Sequence, residues 1–171
     1  FDLGADPDDG KHGTVAYVFK TSADPFVGKV SYFRVIEGPI HSIDNRLLVT
    51  RTNTEERMTS LHVPRGKDQL LVPTLHVGDL GVVTKLGSAL TGDTLCDKQH
   101  GTSLPPITFP NPLLAMAIHP KSKNDTAKLS PSLTRLCEED PSLKWHNDPI
   151  THETVLMGMG QSHIEVAVHH L

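Results

Sequence analysis

The sequence predicts a mainly β domain that is followed by an α+β domain. Closely spaced strands separated by turn residues fill the first part of the chain, and four prolines lie between residues 104 and 112. Beyond these prolines the predicted order is strand, helix, strand, strand, helix. We therefore expect a small antiparallel β-barrel over residues 13–103 and a ferredoxin-like split βαβ domain over residues 104–171.

The barrel prediction depends on strands with a period of two residues. Residues 1–12 are rich in Asp and Gly without periodicity, which predicts a linker or tail. The clearest strand lies between the turns at Asp24-Pro25 and Gly38-Pro39, and its Arg34 stands among apolar side chains. Its two predicted faces are Val30, Tyr32, Arg34, Ile36 and Lys29, Ser31, Phe33, Val35. Shorter strands are predicted at 15–19, 47–50, 58–63, 80–86 and 94–95.

The second domain is predicted from a change of period. A helix over 124–139 follows a strand at 113–118, with Asn124 as its cap. Pro131 predicts either a kink or a helix that starts at Ser130. Strands are predicted at 143–146 and 153–157, and a second helix from Gln161 to Leu171. A split βαβ unit normally ends with one more strand, which we expect to be missing here, leaving a three-stranded sheet.

Composition limits the classes of function. The 171 residues carry a formal net charge of -4, which argues against a generally basic nucleic-acid coat protein but allows a local basic patch. The two cysteines form no CxxC motif, and this favours a reducing compartment. The longest apolar run, 113–118, is too short to cross a bilayer.

Motifs for catalysis are missing from the sequence. It contains neither G-x-x-x-x-G-K-[ST] nor G-x-G-x-x-G, so we expect no nucleotide-binding residues, no catalytic residues and no GTP binding by this chain. His163-Ile164-Glu165 is similar to the H-x-E of zinc deaminases, but the P-C-x-x-C partner is absent. We therefore expect no metal site, and surface or interface histidines instead. Cys137 is expected to be a buried structural thiol.

Several motifs in order resemble the elongation factor G family of translational GTPases. Those of the first domain are Asp24-Pro25-Phe26-Val27-Gly28-Lys29, Tyr32-Phe33-Arg34-Val35, Gly78-Asp79-Leu80-Gly81 and Thr91-Gly92-Asp93-Thr94-Leu95. Those of the second are His119-Pro120-Lys121-Ser122-Lys123, Glu138-Glu139-Asp140-Pro141 and Gly158-Met159-Gly160-Gln161-Ser162-His163-Ile164-Glu165. The resemblance implies that the barrel is of the translation-factor domain II type and that the α+β domain corresponds to domain III.

The resemblance also implies a function for the chain. It implies a non-catalytic, ribosome-docking part of a cytoplasmic, GTP-dependent translocation factor. GTP and Mg²⁺ would bind in a GTPase domain upstream of Phe1, and this part would need no cofactor. The implied partners are small-subunit ribosomal RNA and protein and the protein's own GTPase domain, with no membrane or DNA. The expected RNA contacts are Lys29, Arg34, Arg46 and Arg57; the expected interdomain contacts are Lys121, Lys123, His163 and Glu165.

Departures from the family pattern keep alternatives open. The family usually has Gly-Glu-Leu-His where this chain has Gly160-Gln161-Ser162-His163, and an arginine where His169-His170 stand. A divergent paralogue is one alternative, including a ribosome-protection GTPase of the tetracycline-resistance type. A stand-alone RNA- or protein-binding barrel is another. An enzyme that uses the histidine-rich helix is the third.

Overall fold

The computed structural model describes residues 13–24, 26–42, 46–66, 68–99 and 101–171, without the side chains of Lys123 and Asn124. The predicted tail over residues 1–12 lies outside the described residues. The chain divides into two compact units, Phe1–Ile107 and Thr108–Leu171. Residues 101–113 contain neither helix nor strand.

The first unit is built from short antiparallel strands. They are β1 (Val15–Asp24), β2 (Gly28–Glu37), β3 (Ile40–His41), β4 (Arg46–Val49), β5 (Thr54–Arg57), β6 (His62–Arg65), β7 (Asp68–Leu71), β8 (Thr74–Leu75), β9 (Leu80–Thr84) and β10 (Thr94–Cys96). Eight of them form one sheet in the order β5-β4-β10-β1-β2-β9-β6-β7, and β3 pairs with β8.

Connectivity closes this sheet into a barrel. Strand β5 is at one edge of the sheet, and β6 is next to the strand at the other edge. Only residues 58–61 join the two strands, and a link of that length spans at most about 17 Å. The sheet must therefore curl until its two ends lie near each other. Its interior holds the larger hydrophobic core: Ala16, Val18, Phe33, Val35, Ile40, Leu47, Val49, Met58, Leu61, Leu75, Val83, Leu86, Ala89 and Leu95.

Strand β2 shows how the barrel separates its two faces. Ser31, Phe33 and Val35 are buried, whereas Arg34 is exposed. Gly81 of β9 lies opposite Phe33. A Cβ atom at Gly81 would overlap the ring of Phe33, so this crossing requires glycine.

The second unit has the predicted order of elements. They are β11 (Leu114–Ile118), α1 (Lys123–Glu139), β12 (Lys144–Asn147), β13 (Thr154–Gly158) and α2 (Gln161–His169). The sheet has three strands, as predicted; they are antiparallel and lie in the order β11-β13-β12. Its core contains Leu133, Leu143, Leu156, Ile164 and Ala167, which places both helices against one face of the sheet.

The structure corrects the prediction for α1. The helix begins at Lys123, and the cap is Ser122, whose Oγ accepts a hydrogen bond from the N–H of Asp125 at 3.3 Å. The predicted cap at Asn124 is therefore wrong, and so is a start at Ser130. Pro131 lies inside the helix. It removes one backbone donor, but Leu129, Leu133 and Leu136 pack into the core on both sides of it and hold the helix together.

One strand prediction in the barrel is also wrong. The sequence pattern predicts a strand over 58–63 that includes Met58 and Leu61, yet the strand β6 begins at His62. Both side chains are buried in the connection between β5 and β6, where Ser60 adopts a positive φ of 58°. Two buried apolar side chains in a connecting loop therefore imitate a strand pattern.

Candidate nucleic-acid interface

Two of the four predicted RNA contacts lie side by side. Arg46 of β4 and Arg57 of β5 are directly opposite each other in the antiparallel ladder, and both are exposed. Residues in such positions have Cβ atoms about 4.5–5.5 Å apart, and like charges there oppose folding. A phosphate group is an anion that two adjacent guanidinium groups can bind together.

A lysine extends this positive surface. Lys98 Nζ lies 2.7 Å from Glu55 Oε1, and the lysine side chain is 75% exposed. The hydrogen bond from Lys98 lowers the pKa of Glu55, and the charge of Arg46 acts in the same direction. We call Arg46, Arg57, Lys98 and Glu55 the barrel-edge cluster. It contains three cations and one carboxylate, and that carboxylate is already paired with a lysine.

Glu56 does not oppose the cluster, because its carboxylate is engaged elsewhere. Glu56 Oε1 accepts hydrogen bonds from the N–H and the Oγ of Ser88, both at 2.7 Å. Neighbouring side chains on a strand point to opposite faces. Glu56 is thus on the other face of β5 from Arg57 and ties the edge strand to the loop after β9.

Arg34 lies on the exposed face of β2, away from the cluster. It is opposite Tyr17 of β1 and Leu80 of β9. Instead of binding RNA, Arg34 could form an internal ion pair, for which the sequence offers Glu37 and Asp79 as carboxylates. The Asp79 carboxylate accepts a hydrogen bond from the N–H of His76 at 2.8 Å instead. Three strand spacings, or about 14 Å along the sheet, separate β2 from β4. Arg34 can therefore contact only a different phosphate from the one that the arginine pair would bind.

Lys29 differs from the other three. It is half-buried near the start of β2, and its Nζ atom is shielded from solvent. Five residues, about 17 Å of strand, separate it from Arg34. The structure thus brings together Arg46 and Arg57, places Arg34 apart on the exposed face, and leaves Lys29 in the least accessible position.

A buried carboxylate that the sequence prediction missed organises the barrel near its last strand. Asp93 is 5% exposed, and its two oxygens accept hydrogen bonds from Arg51 Nε at 2.8 Å and Arg51 Nη2 at 3.0 Å. Asp93 Oδ2 also accepts from the N–H of Leu90 at 2.8 Å. Arg51 is one of the barrel's basic residues, but this bidentate pair gives it a structural role. The motif Thr91-Gly92-Asp93 is the sequence signal that could have identified this carboxylate, although its partner Arg51 is 42 positions away.

The second unit places His163 in a hydrogen-bond network. His163 Nε2 lies 2.8 Å from Asp140 Oδ2, and His163 Nδ1 accepts from the N–H of Met159 at 3.1 Å. Asp140 caps the C-terminus of α1, and its Oδ1 accepts from the N–H of Ser142 at 2.9 Å. Burial, the largest single influence, raises the pKa of Asp140, but the hydrogen bonds from Ser142 and then His163 outweigh it and lower the pKa. His163 therefore joins α2 to the end of α1.

The other predicted interdomain contacts are spread along the unit. Glu165 is exposed on α2 and accepts a hydrogen bond from Gln161 Nε2 at 2.8 Å. Gln161 thus uses its amide within the helix, at the position where the family usually has glutamate. Lys121 is exposed before α1. The side chain of Lys123 lies outside the described residues.

Two further features bear on the alternatives. Within the described part of the chain, no group of three or more His, Cys, Asp or Glu side chains is arranged to hold a metal ion. Neither α1 nor α2 is long and apolar enough to cross a membrane, as far as the described residues show.

Comparison with known proteins matches each unit separately. The family model of elongation factor G domain 2 matches residues 14–98, and that of elongation factor G domain III matches residues 109–171. The elongation factor G of Cytophaga hutchinsonii is 36% identical over 153 residues, covering 90% of this chain and 22% of that protein. The chain thus spans about a fifth of that relative's length.

A solved structure shows the same fold. A crystal structure of a protein from Thermus thermophilus aligns with a TM-score of 0.79 and 33% sequence identity. The alignment covers 92% of this chain and 24% of the Thermus chain. The barrel and the split βαβ unit therefore occur in this order in a known protein, and the chain belongs to the elongation factor G family, of which it carries domains II and III.

Proposed function

We propose that this chain is the ribosome-docking, non-catalytic portion of a GTP-dependent translation elongation factor that acts in the cytoplasm. The family membership supports a role in translation. The barrel-edge cluster is the observation that carries the docking proposal, because it holds two arginines side by side on an exposed barrel edge. The proposed ligand is the phosphate backbone of small-subunit ribosomal RNA, with ribosomal protein as a neighbouring partner.

The proposed role agrees with the charge of the whole chain. A net charge of -4 gives little non-specific attraction to RNA, so binding must come from local groups. Arg46 and Arg57 supply such a local site, and Arg34 supplies a second cation on another part of the barrel. GTP and Mg²⁺ would bind in a separate GTPase domain of the whole factor. The proposed contacts with that domain are Lys121, Lys123, His163 and Glu165.

Salt dependence tests the docking proposal. The affinity of the chain for bacterial 30S subunits is measured by sedimentation at several salt concentrations. We expect Arg46→Gln and Arg57→Gln each to weaken binding and to flatten the slope of log affinity against log salt by roughly 0.7–0.9. Arg46→Gln removes one exposed charge, so its free energy of unfolding should change by no more than about 0.5 kcal/mol.

Arg135→Gln is the matched control, because Arg135 is an exposed arginine on α1. It should leave the slope unchanged. Equal slopes for Arg46→Gln, Arg57→Gln and the unmodified chain would contradict the role of the cluster. No measurable binding of the unmodified chain at low salt would contradict the docking proposal itself.

A further inference from the structure

An aromatic side chain protrudes from the tip of the hairpin that joins β1 and β2. The Phe26 side chain is 94% exposed, and Val27 beside it is 44% exposed. Phenylalanine at such exposure gains almost nothing from folding, since its stabilising contribution comes from burial. Phe26 belongs neither to the barrel core nor to the barrel-edge cluster. Phe26 therefore has no function within the part of the fold that the structure describes.

The turn holds Phe26 in a defined position. Asp24 Oδ1 accepts hydrogen bonds from the N–H groups of Phe26 at 2.8 Å and Val27 at 2.9 Å. These backbone hydrogen bonds lower the pKa of Asp24, so its carboxylate is ionised at neutral pH. Gly28 follows with φ of 81°, in the left-handed region that favours glycine. The Asp24 carboxylate thus holds the backbone from which the ring of Phe26 projects.

The size of this tip distinguishes between kinds of partner. One phenylalanine ring offers about 150–250 Å² of surface, whereas a stable protein interface needs about 800 Å² on each side. Stacking on a nucleobase needs only one aromatic face. An exposed lysine, Lys85, also lies at this end of the barrel, because its N–H donates to the carbonyl of Lys29 at 2.9 Å. A ring on a convex tip with a lysine at its base suits RNA better than a protein surface.

We propose that Phe26 stacks on an unpaired base of the ribosomal RNA that the barrel contacts. The inference rests on the proposed docking function and adds a second, neutral contact to it. Strands β1 and β2 each have ten residues, so the tip can lie as far as about 33 Å from the end of the barrel that carries the cluster. The two contacts would then reach separate parts of the RNA.

Substitutions of the ring test the proposal by binding to bacterial 30S subunits over a range of salt concentrations. We expect Phe26→Ala to weaken binding roughly 5- to 150-fold, as the loss of one stacked base predicts. The salt slope should stay unchanged, because the ring carries no charge. Phe26→Leu should bind as weakly as Phe26→Ala, whereas Phe26→Tyr and Phe26→Trp should keep the affinity.

A control variant and the results that would contradict the stacking proposal complete the test. Leu71→Ala removes another exposed apolar side chain, on β7, and should leave the affinity unchanged. Unchanged binding by Phe26→Ala would overturn the proposal, and so would full affinity of Phe26→Leu, which would indicate an apolar protein pocket. If the unmodified chain fails to bind, the docking function fails instead. Circular dichroism would verify that the variants are folded.

Discussion

At the scale of single residues, Asp93 joins parts of the barrel that are far apart in the sequence. It is nearly buried and accepts three hydrogen bonds, two from Arg51 and one from the N–H of Leu90. Asparagine has the same shape, but its amide would turn N–H groups toward the donors of Arg51. We therefore expect Asp93→Asn to lower the free energy of unfolding of the first unit by about 1.5–3 kcal/mol, as measured by urea denaturation.

Asp68→Asn is the control for Asp93→Asn, because Asp68 is an exposed aspartate at the start of β7. It should change the free energy of unfolding by less than about 0.5 kcal/mol. If both variants lose the same stability, the pair between Asp93 and Arg51 is not what holds this part of the barrel.

Sequence reasoning succeeds only in part at this scale. It singles out Arg46 and Arg57 as candidate cations, but it cannot pair them, since register across β4 and β5 is a tertiary property. It does not find the internal partner of Arg51, because the type of a residue does not reveal a partner 42 positions away. In the sequence, Phe26 is one residue of the motif that runs from Asp24 to Lys29. Its exposure follows from its place at the tip of the hairpin, which the sequence pattern does not show.

At the scale of elements, the sequence predicts the strands and helices whose apolar residues form a face that packs into a core. Strands β2 and β13 and both helices of the second unit follow such patterns. Strands β5 and β7 are missed, because Thr-Glu-Glu-Arg and Asp-Gln-Leu-Leu are largely exposed edge strands without an apolar face. Helix α1 continues through Pro131 because tertiary packing outweighs local propensity.

The contact between α1 and α2 gives the second unit a dependence on acid. The pKa of Asp140 lies below its ordinary value of 3.8 in the folded state. A lowered folded pKa adds stability that is fully present above the unfolded pKa and is lost as pH falls through the folded value. We therefore expect the second unit to lose stability below a pH of about 4, in part through Asp140.

Asp140→Asn tests this dependence in urea titrations at pH 7, 5 and 3. The variant should be less stable at pH 7, because the hydrogen bonds from Ser142 and His163 lose their charged acceptor. It should also lose less stability than the unmodified chain between pH 5 and pH 3. Glu165→Gln, at an exposed carboxylate of α2, should keep the unmodified slope. An equally steep slope in Asp140→Asn would show that other carboxylates cause the acid sensitivity.

At the scale of the whole molecule, the described residues form two hydrophobic cores that have no residue in common. The segment 101–113 between them contains no helix or strand, so no sheet continues from one unit to the other. Cooperative unfolding requires shared packing or shared backbone pairing. We therefore predict that the two units unfold in separate transitions.

The chain carries its own reporters for this last prediction. Its single tryptophan, Trp145, packs against the core of the second unit, and the thiol of Cys96 is buried in β10 of the first. Asp93→Asn should speed the labelling of Cys96 and leave the Trp145 fluorescence midpoint in place. Leu156→Ala, which should cost the second unit about 2–5 kcal/mol, should do the reverse. Peptide mass spectrometry distinguishes Cys96 from Cys137. If either variant shifts both probes equally, the two cores unfold as one cooperative block.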